Sequence, residues 1–154
     1  VPNTILIALK DSDTSHAIID SLADLPLSKP DTKITLLHVF RIPSSTEKLM
    51  GDHYLAKEPI RLRGILMDAK GYIVAKGFSP ENIAIDIVDE PYPTVAEAII
   101  HHCHKHNYGM VVIGRRQKSK SEEFVLGDVS VKLVRALEKT AVMVIKTTAD
   151  KPIR

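Results

Sequence analysis

The chain has 154 residues, the size of one domain, and 21 Lys and Arg against 19 Asp and Glu give a net charge of +2. That balance argues against a nucleic-acid groove, no basic run carries interleaved aromatics, and no apolar stretch reaches the length of a membrane span. The single cysteine, Cys103, rules out an internal disulfide and suits a reducing compartment. With no charged-then-apolar signal pattern at the N-terminus, the expected location is cytoplasmic.

The first apolar run, residues 5–9, has the length and continuity of a strand covered on both faces. A helix is predicted after Ser12, which reads as its N-cap, with Ala17, Ile18, Leu22 and Leu25 on one face and Pro26 as its stop. A second strand follows at 34–40. Residues 42–58 read as a long polar connection able to act as a flap. A second helix is predicted over 59–76 with Ile60, Gly64, Met67, Gly71 and Val74 inward, although its glycines weaken the helix. The third strand is predicted at 83–88. Asp89, Glu90, Pro91 and Pro93 then read as a turn into a third helix at 94–106. The remaining elements are a strand at 110–113, a helix at 129–137 and a strand at 141–145.

This alternation predicts one α/β domain over residues 1–154: a five-stranded parallel sheet, doubly wound, with helices on both faces. The strand order is expected to be 3-2-1-4-5, with the winding reversing between strands 1 and 4. Ligands of such sheets lie at the carboxyl ends of the strands flanking that point, here residues 9–13 and 114–128.

Gly114 follows the predicted fourth strand, and Arg115, Arg116 and Gln117 come next, with Gly127 just before the last helix. A glycine at a strand end lets backbone amides approach an anion, and a helix N-terminus adds free N–H groups and a positive dipole end. Arg115, Arg116, Lys118 and Lys120 add charge, although a solvated loop explains the arginine pair equally well. Two glycines alone are a weak signal.

The spacing Gly114-Arg115-Arg116-Gln117, nine residues, then Gly127-Asp128-Val129-Ser130 resembles the universal stress protein pattern Gly-x2-Gly-x9-Gly-Ser/Thr. The apolar first strand followed by Asp11-Ser12-Asp13-Thr14-Ser15, and Leu37-His38-Val39 in the second strand, are also similar to that family. The resemblance covers nearly the whole chain and implies an adenine nucleotide alpha hydrolase-like fold. It also implies a nucleotide pocket involving Leu9, Lys10, Asp11, Val39, Gly114, Arg115, Arg116, Gln117, Gly127, Asp128, Val129 and Ser130, with ATP or another adenine nucleotide, and magnesium, as ligands. It further implies a homodimer through the apolar last strand, Ala141, Val142, Met143, Val144 and Ile145, whose exposed edge invites pairing.

Three positions depart from the family pattern. Gln117 replaces its second glycine, which would bar positive φ there. Asp128 replaces a hydroxyl residue and puts an anion where a phosphate would lie, although Asp is also a strong N-cap. Lys10 aligns with the aspartate that ends the first strand in ATP-binding members; it could substitute for a ligand's charge or pair with Asp128.

His102 and His106 lie one helical turn apart, yet a run of His and Lys at a helix end is explained by the negative dipole end, and no metal site is expected. Cys103 falls at core spacing from Ile99 and Ile100. Ser12, Ser15 and Ser119 lack a nucleophile elbow, so no catalytic residue is assigned. Asp11, Asp13, Asp89 and Glu90 could hold magnesium with a nucleotide. The expected function is a non-enzymatic stress-response module, homodimeric and open to protein partners, with an altered nucleotide pocket. The alternatives are an ATP-binding switch using the 114–127 loop, with at most slow hydrolysis, and a partner-binding domain of a longer protein.

Overall fold

Each of the five apolar runs becomes a parallel strand because helices cover it from both sides. A computed structural model describes residues 3–9, 12–39, 52–88, 94–117 and 128–148. The strands are β1 (Thr4–Ala8), β2 (Lys33–Val39), β3 (Ile83–Val88), β4 (Met110–Gln117) and β5 (Ala141–Thr148). The helices are α1 (Ser12–Ala23), α2 (Asp52–Ala75), α3 (Val95–Lys105) and α4 (Asp128–Ala136). The sheet order is β3-β2-β1-β4-β5, all parallel, with β1 flanked by β2 and β4.

Alternation along the strands divides the core into two layers. Ile5, Ile7, Ile34, Leu36, Met110 and Val112 pack against Ile18, Ile19 and Leu22 of α1 and Leu66, Ala69 and Ile73 of α2. On the other face, Leu6, Leu37, Val111 and Ile113 pack against Ile99 and Cys103 of α3 and against Leu133 and Leu137. A polar strap ties α1 to α2 at the surface: the Tyr72 hydroxyl donates to Asp20 Oδ1 at 2.6 Å, and Lys76 Nζ lies 3.0 Å from the same oxygen. The His16 ring stacks on Tyr72. The Tyr72 hydrogen bond, then Lys76, holds the Asp20 carboxyl below its usual range.

Several boundaries and one helix face differ from the sequence expectation. Ser12 is the first helical residue of α1, so the cap position falls at 11, outside the described residues. α1 ends at Ala23, two residues before Leu25. α2 begins at Asp52, so the end of the supposed 42–58 connection is helical, while residues 40–51 lie outside the described residues.

The inward face of α2 carries Leu62, Leu66, Ala69 and Ile73, whereas Ile60 and Met67 are exposed. The two stripes share one spacing but sit two residues apart, about 200° around the helix. The richer aliphatic stripe is the one buried, because Gly64 and Gly71 bury almost nothing. A Cβ at either glycine would meet no atom within 4 Å. Gly64→Ala and Gly71→Ala should each raise stability by about 0.5–1 kcal/mol, read as a higher denaturant midpoint. Gly77 differs from both, since its φ of +106° ends α2 in a conformation that L side chains rarely adopt.

Candidate nucleotide site

The first turn of α4 packs against the same core layer as the carboxyl ends of β1, β2 and β3. Ala8, Val39 and Val88 end three adjacent strands on the same sheet face, and Val129 packs with them over the second core layer. All four are half-buried, in contrast to Leu6 and Leu37 beneath them, which are fully buried. They give an apolar surface on the face that also receives the first turn of α4, whose positive dipole end favours an anion. An apolar surface next to an anion-attracting helix end suits a base with an attached phosphate.

Leu9 extends this edge. Its N–H donates to the Leu37 carbonyl at 2.9 Å, and its own carbonyl lies 2.9 Å from His38 Nδ1. A carbonyl only accepts, so His38 carries a proton on Nδ1 and pins the end of β1 to β2.

The structure relocates part of the predicted loop. Gly114, Arg115, Arg116 and Gln117 continue β4 and pair in register with Ile145, Lys146, Thr147 and Thr148. The sequence analysis ended the strand at Ile113 because the next residues are polar. The backbone ladder to β5 carries the extension, and two-sided apolar burial does not mark it. Gln117 therefore lies in extended backbone, and no positive φ is required where the family pattern has glycine. Strand alternation puts Arg115 on the sheet face of Val111 and Ile113, the face that α4 covers.

Asp128 is the first residue of α4, one place inside the cap position expected for it. The half-buried Val129 and Ser130 follow in the first turn. Lys10, Asp11 and Gly127 lie outside the described residues, and so do Lys118, Lys120 and the proposed Lys10–Asp128 pair. The turn at Asp89, Glu90, Pro91 and Pro93 lies outside them too. Ala8 and Val88 were absent from the sequence-derived set. Their signal was the last in-facing position of each strand, legible only once strand ends and faces are fixed.

The histidine cluster ends at the other pole of the sheet. His102 Nε2 lies 2.9 Å from the Tyr108 hydroxyl, and Nδ1 lies 3.7 Å from Asp86. Among the described residues no three His, Cys, Asp or Glu side chains are placed to share a metal ion. Cys103 is buried, and burial pushes its thiol pKa up to about 11, which keeps it protonated and poorly nucleophilic.

A parallel sheet reversing its winding between β1 and β4 defines a doubly wound α/β domain. The model of the universal stress protein family matches residues 2–146, and the chain belongs to that family. Among solved structures it is similar to the universal stress protein UspA from Lactobacillus plantarum, with a TM-score of 0.67, 16% identity, and 93% of this chain and 97% of that one covered. It also resembles a universal stress protein in complex with cAMP, with a TM-score of 0.65, 18% identity, and 94% and 96% covered. A third similar structure is the Archaeoglobus fulgidus universal stress protein in complex with dAMP, with a TM-score of 0.61, 15% identity, and 93% and 97% covered. These structures share the adenine nucleotide alpha hydrolase-like fold. No curated protein matches the chain significantly. No helix among the described residues is long and apolar enough to cross a membrane.

Proposed function

We propose that this chain is a non-enzymatic, homodimeric stress-response module whose altered pocket takes an adenine nucleotide with a single phosphate in preference to ATP. The observation that carries this reading is the half-buried floor of Ala8, Val39, Val88 and Val129 beside the N-terminus of α4. A purine covers apolar surface of that kind, and the helix N-terminus suits one phosphate. An acidic residue, Asp128, opens that helix, and negative charge at this position disfavours each further phosphate charge. At about 4 Å such repulsion amounts to ~1 kcal/mol in water and rises as water is excluded. Two similar structures hold cAMP and dAMP, each with one phosphate, which supports the preference. Catalysis has no assigned residue in this account, and magnesium has no role in holding a monophosphate. Protein partners then read the nucleotide-bound dimer.

Calorimetry with AMP and with Mg-ATP tests the preference. AMP should bind with saturation, and ATP should bind more weakly by roughly fivefold or more, the equivalent of about 1 kcal/mol. Asp128→Ser should narrow that gap by improving ATP binding. Equal or tighter ATP binding by the unaltered chain would refute the preference and favour the ATP-switch alternative.

A further inference from the structure

At the amino pole of the sheet a buried histidine joins four elements of the fold. His102 lies in the last turn of α3 and is only 7% exposed. Its Nε2 lies 2.9 Å from the Tyr108 hydroxyl, just before β4. Thr35 of β2 neighbours the Tyr108 hydroxyl. On the ring's other side, Asp86 of β3 lies 3.7 Å from Nδ1, with its carboxylate half-exposed. We propose that the Tyr108–His102 pair, with Asp86 and Thr35 beside it, is an acid-released latch that holds the C-terminal end of α3 to the sheet.

The direction of the hydrogen bond carries the argument. With His102 neutral and its proton on Nδ1 toward Asp86, Nε2 accepts from the Tyr108 hydroxyl. A proton added from solvent must sit on Nε2, which turns from acceptor to donor. The Tyr108 hydrogen must then swing away. One proton therefore reverses the His102–Tyr108 hydrogen bond inside a packed layer.

The surrounding charges decide how hard that proton is to add. Asp86 favours it, whereas His106 at the C-cap of α3 and Lys105 and His101 on α3 oppose it. The His106 ring lies 4.8 Å from His102, centroid to centroid. Leu133 of α4 and Leu137 just after it enter this layer, as does Leu37 of β2. Cys103 stays neutral. Burial is the largest influence and lowers the His102 pKa, so the unfolded chain takes up the proton at higher pH than the folded one. The latch's contribution is therefore present above the ordinary histidine pKa. It is lost as pH falls below that value toward the lowered folded value.

Thermal unfolding at pH 7.5 and pH 5.5 tests the latch. The unaltered chain should lose midpoint temperature between the two, and His102→Gln should remove roughly 2–4 °C of that loss while the other six histidines stay in place. Because His102 is buried, the unaltered chain also supplies a second readout that needs no substitution, the ring 15N shifts of His102. A neutral ring protonated on Nδ1, titrating below the ordinary histidine value, supports the latch. A ring protonated on Nε2 at neutral pH, or an acid-dependent loss unchanged in His102→Gln, would overturn it.

Discussion

Leu37→Ala lowers the unfolding free energy by about 2–5 kcal/mol, the range of leucine truncations in close-packed cores. Leu37 is fully buried in β2, in the layer that joins Leu6, Val111, Ile99 and Leu133. Four elements lose contacts together, and a parallel sheet covered by α3 and α4 offers little room to collapse around the cavity. Domains of ordinary stability have roughly 5–15 kcal/mol in total, so this one change removes a large share. Urea unfolding should show a lower midpoint with an unchanged slope. Val39→Ala, two residues along the same face, should cost less because Val39 is only half-buried. A cost for Leu37→Ala below that of Val39→Ala would contradict the assignment of the second core layer.

Val144→Lys should convert the proposed dimer into a monomer. β5 lies at an edge of the described sheet, and Val144 on it is 40% exposed. Ala141 is exposed, and Val142, Met143 and Ile145 are partly covered, so the edge can extend into a second copy by antiparallel pairing. In such a two-fold arrangement the two lysines approach across the axis. Charge repulsion of a few kcal/mol weakens association on the order of a hundredfold. Sedimentation velocity should show a dimer for the unaltered chain and a monomer for the variant, with the same circular dichroism. An unaltered chain that is monomeric at high concentration, or a variant that dimerises equally well, would remove β5 as the interface.

The fold was legible because both layers of the sheet are written as uninterrupted apolar runs. Residues 5–9 and 110–113 carry no polar alternation, which marks strands buried on both faces and fixes the parallel class. The face of α2 was misread because two stripes with the same spacing compete along it, and Ile60 and Met67 looked as apolar as Leu62 and Leu66. Only packing against Ile18, Ile19 and the strands settles which one turns inward. The end of β4 was missed for the opposite reason. Gly114, Arg115, Arg116 and Gln117 are joined to β5 through backbone hydrogen bonds, and their side chains give no apolar signal.

The site was legible in part. Val39, Val129 and Ser130 were named from the motif, and Val39 and Val129 pack into one layer at the expected pole. Ala8 and Val88 are ordinary strand residues by type, so position alone gives them a role. The histidine run was recognised as a helix end. Its joining of Asp86, Thr35 and Tyr108 depends on three strands meeting at one pole, which no local spacing encodes.

The central claim is that a nucleotide monophosphate lies over the floor at the carboxyl ends of the strands. The most direct measurement is a 15N–1H titration of the intact chain with AMP. The account predicts saturable shifts of the Val39, Val88, Gly114, Val129 and Ser130 amides, with the Tyr108 pole unmoved. No shift up to millimolar AMP from a folded protein, or shifts gathered around His102 and Tyr108 instead, would contradict it.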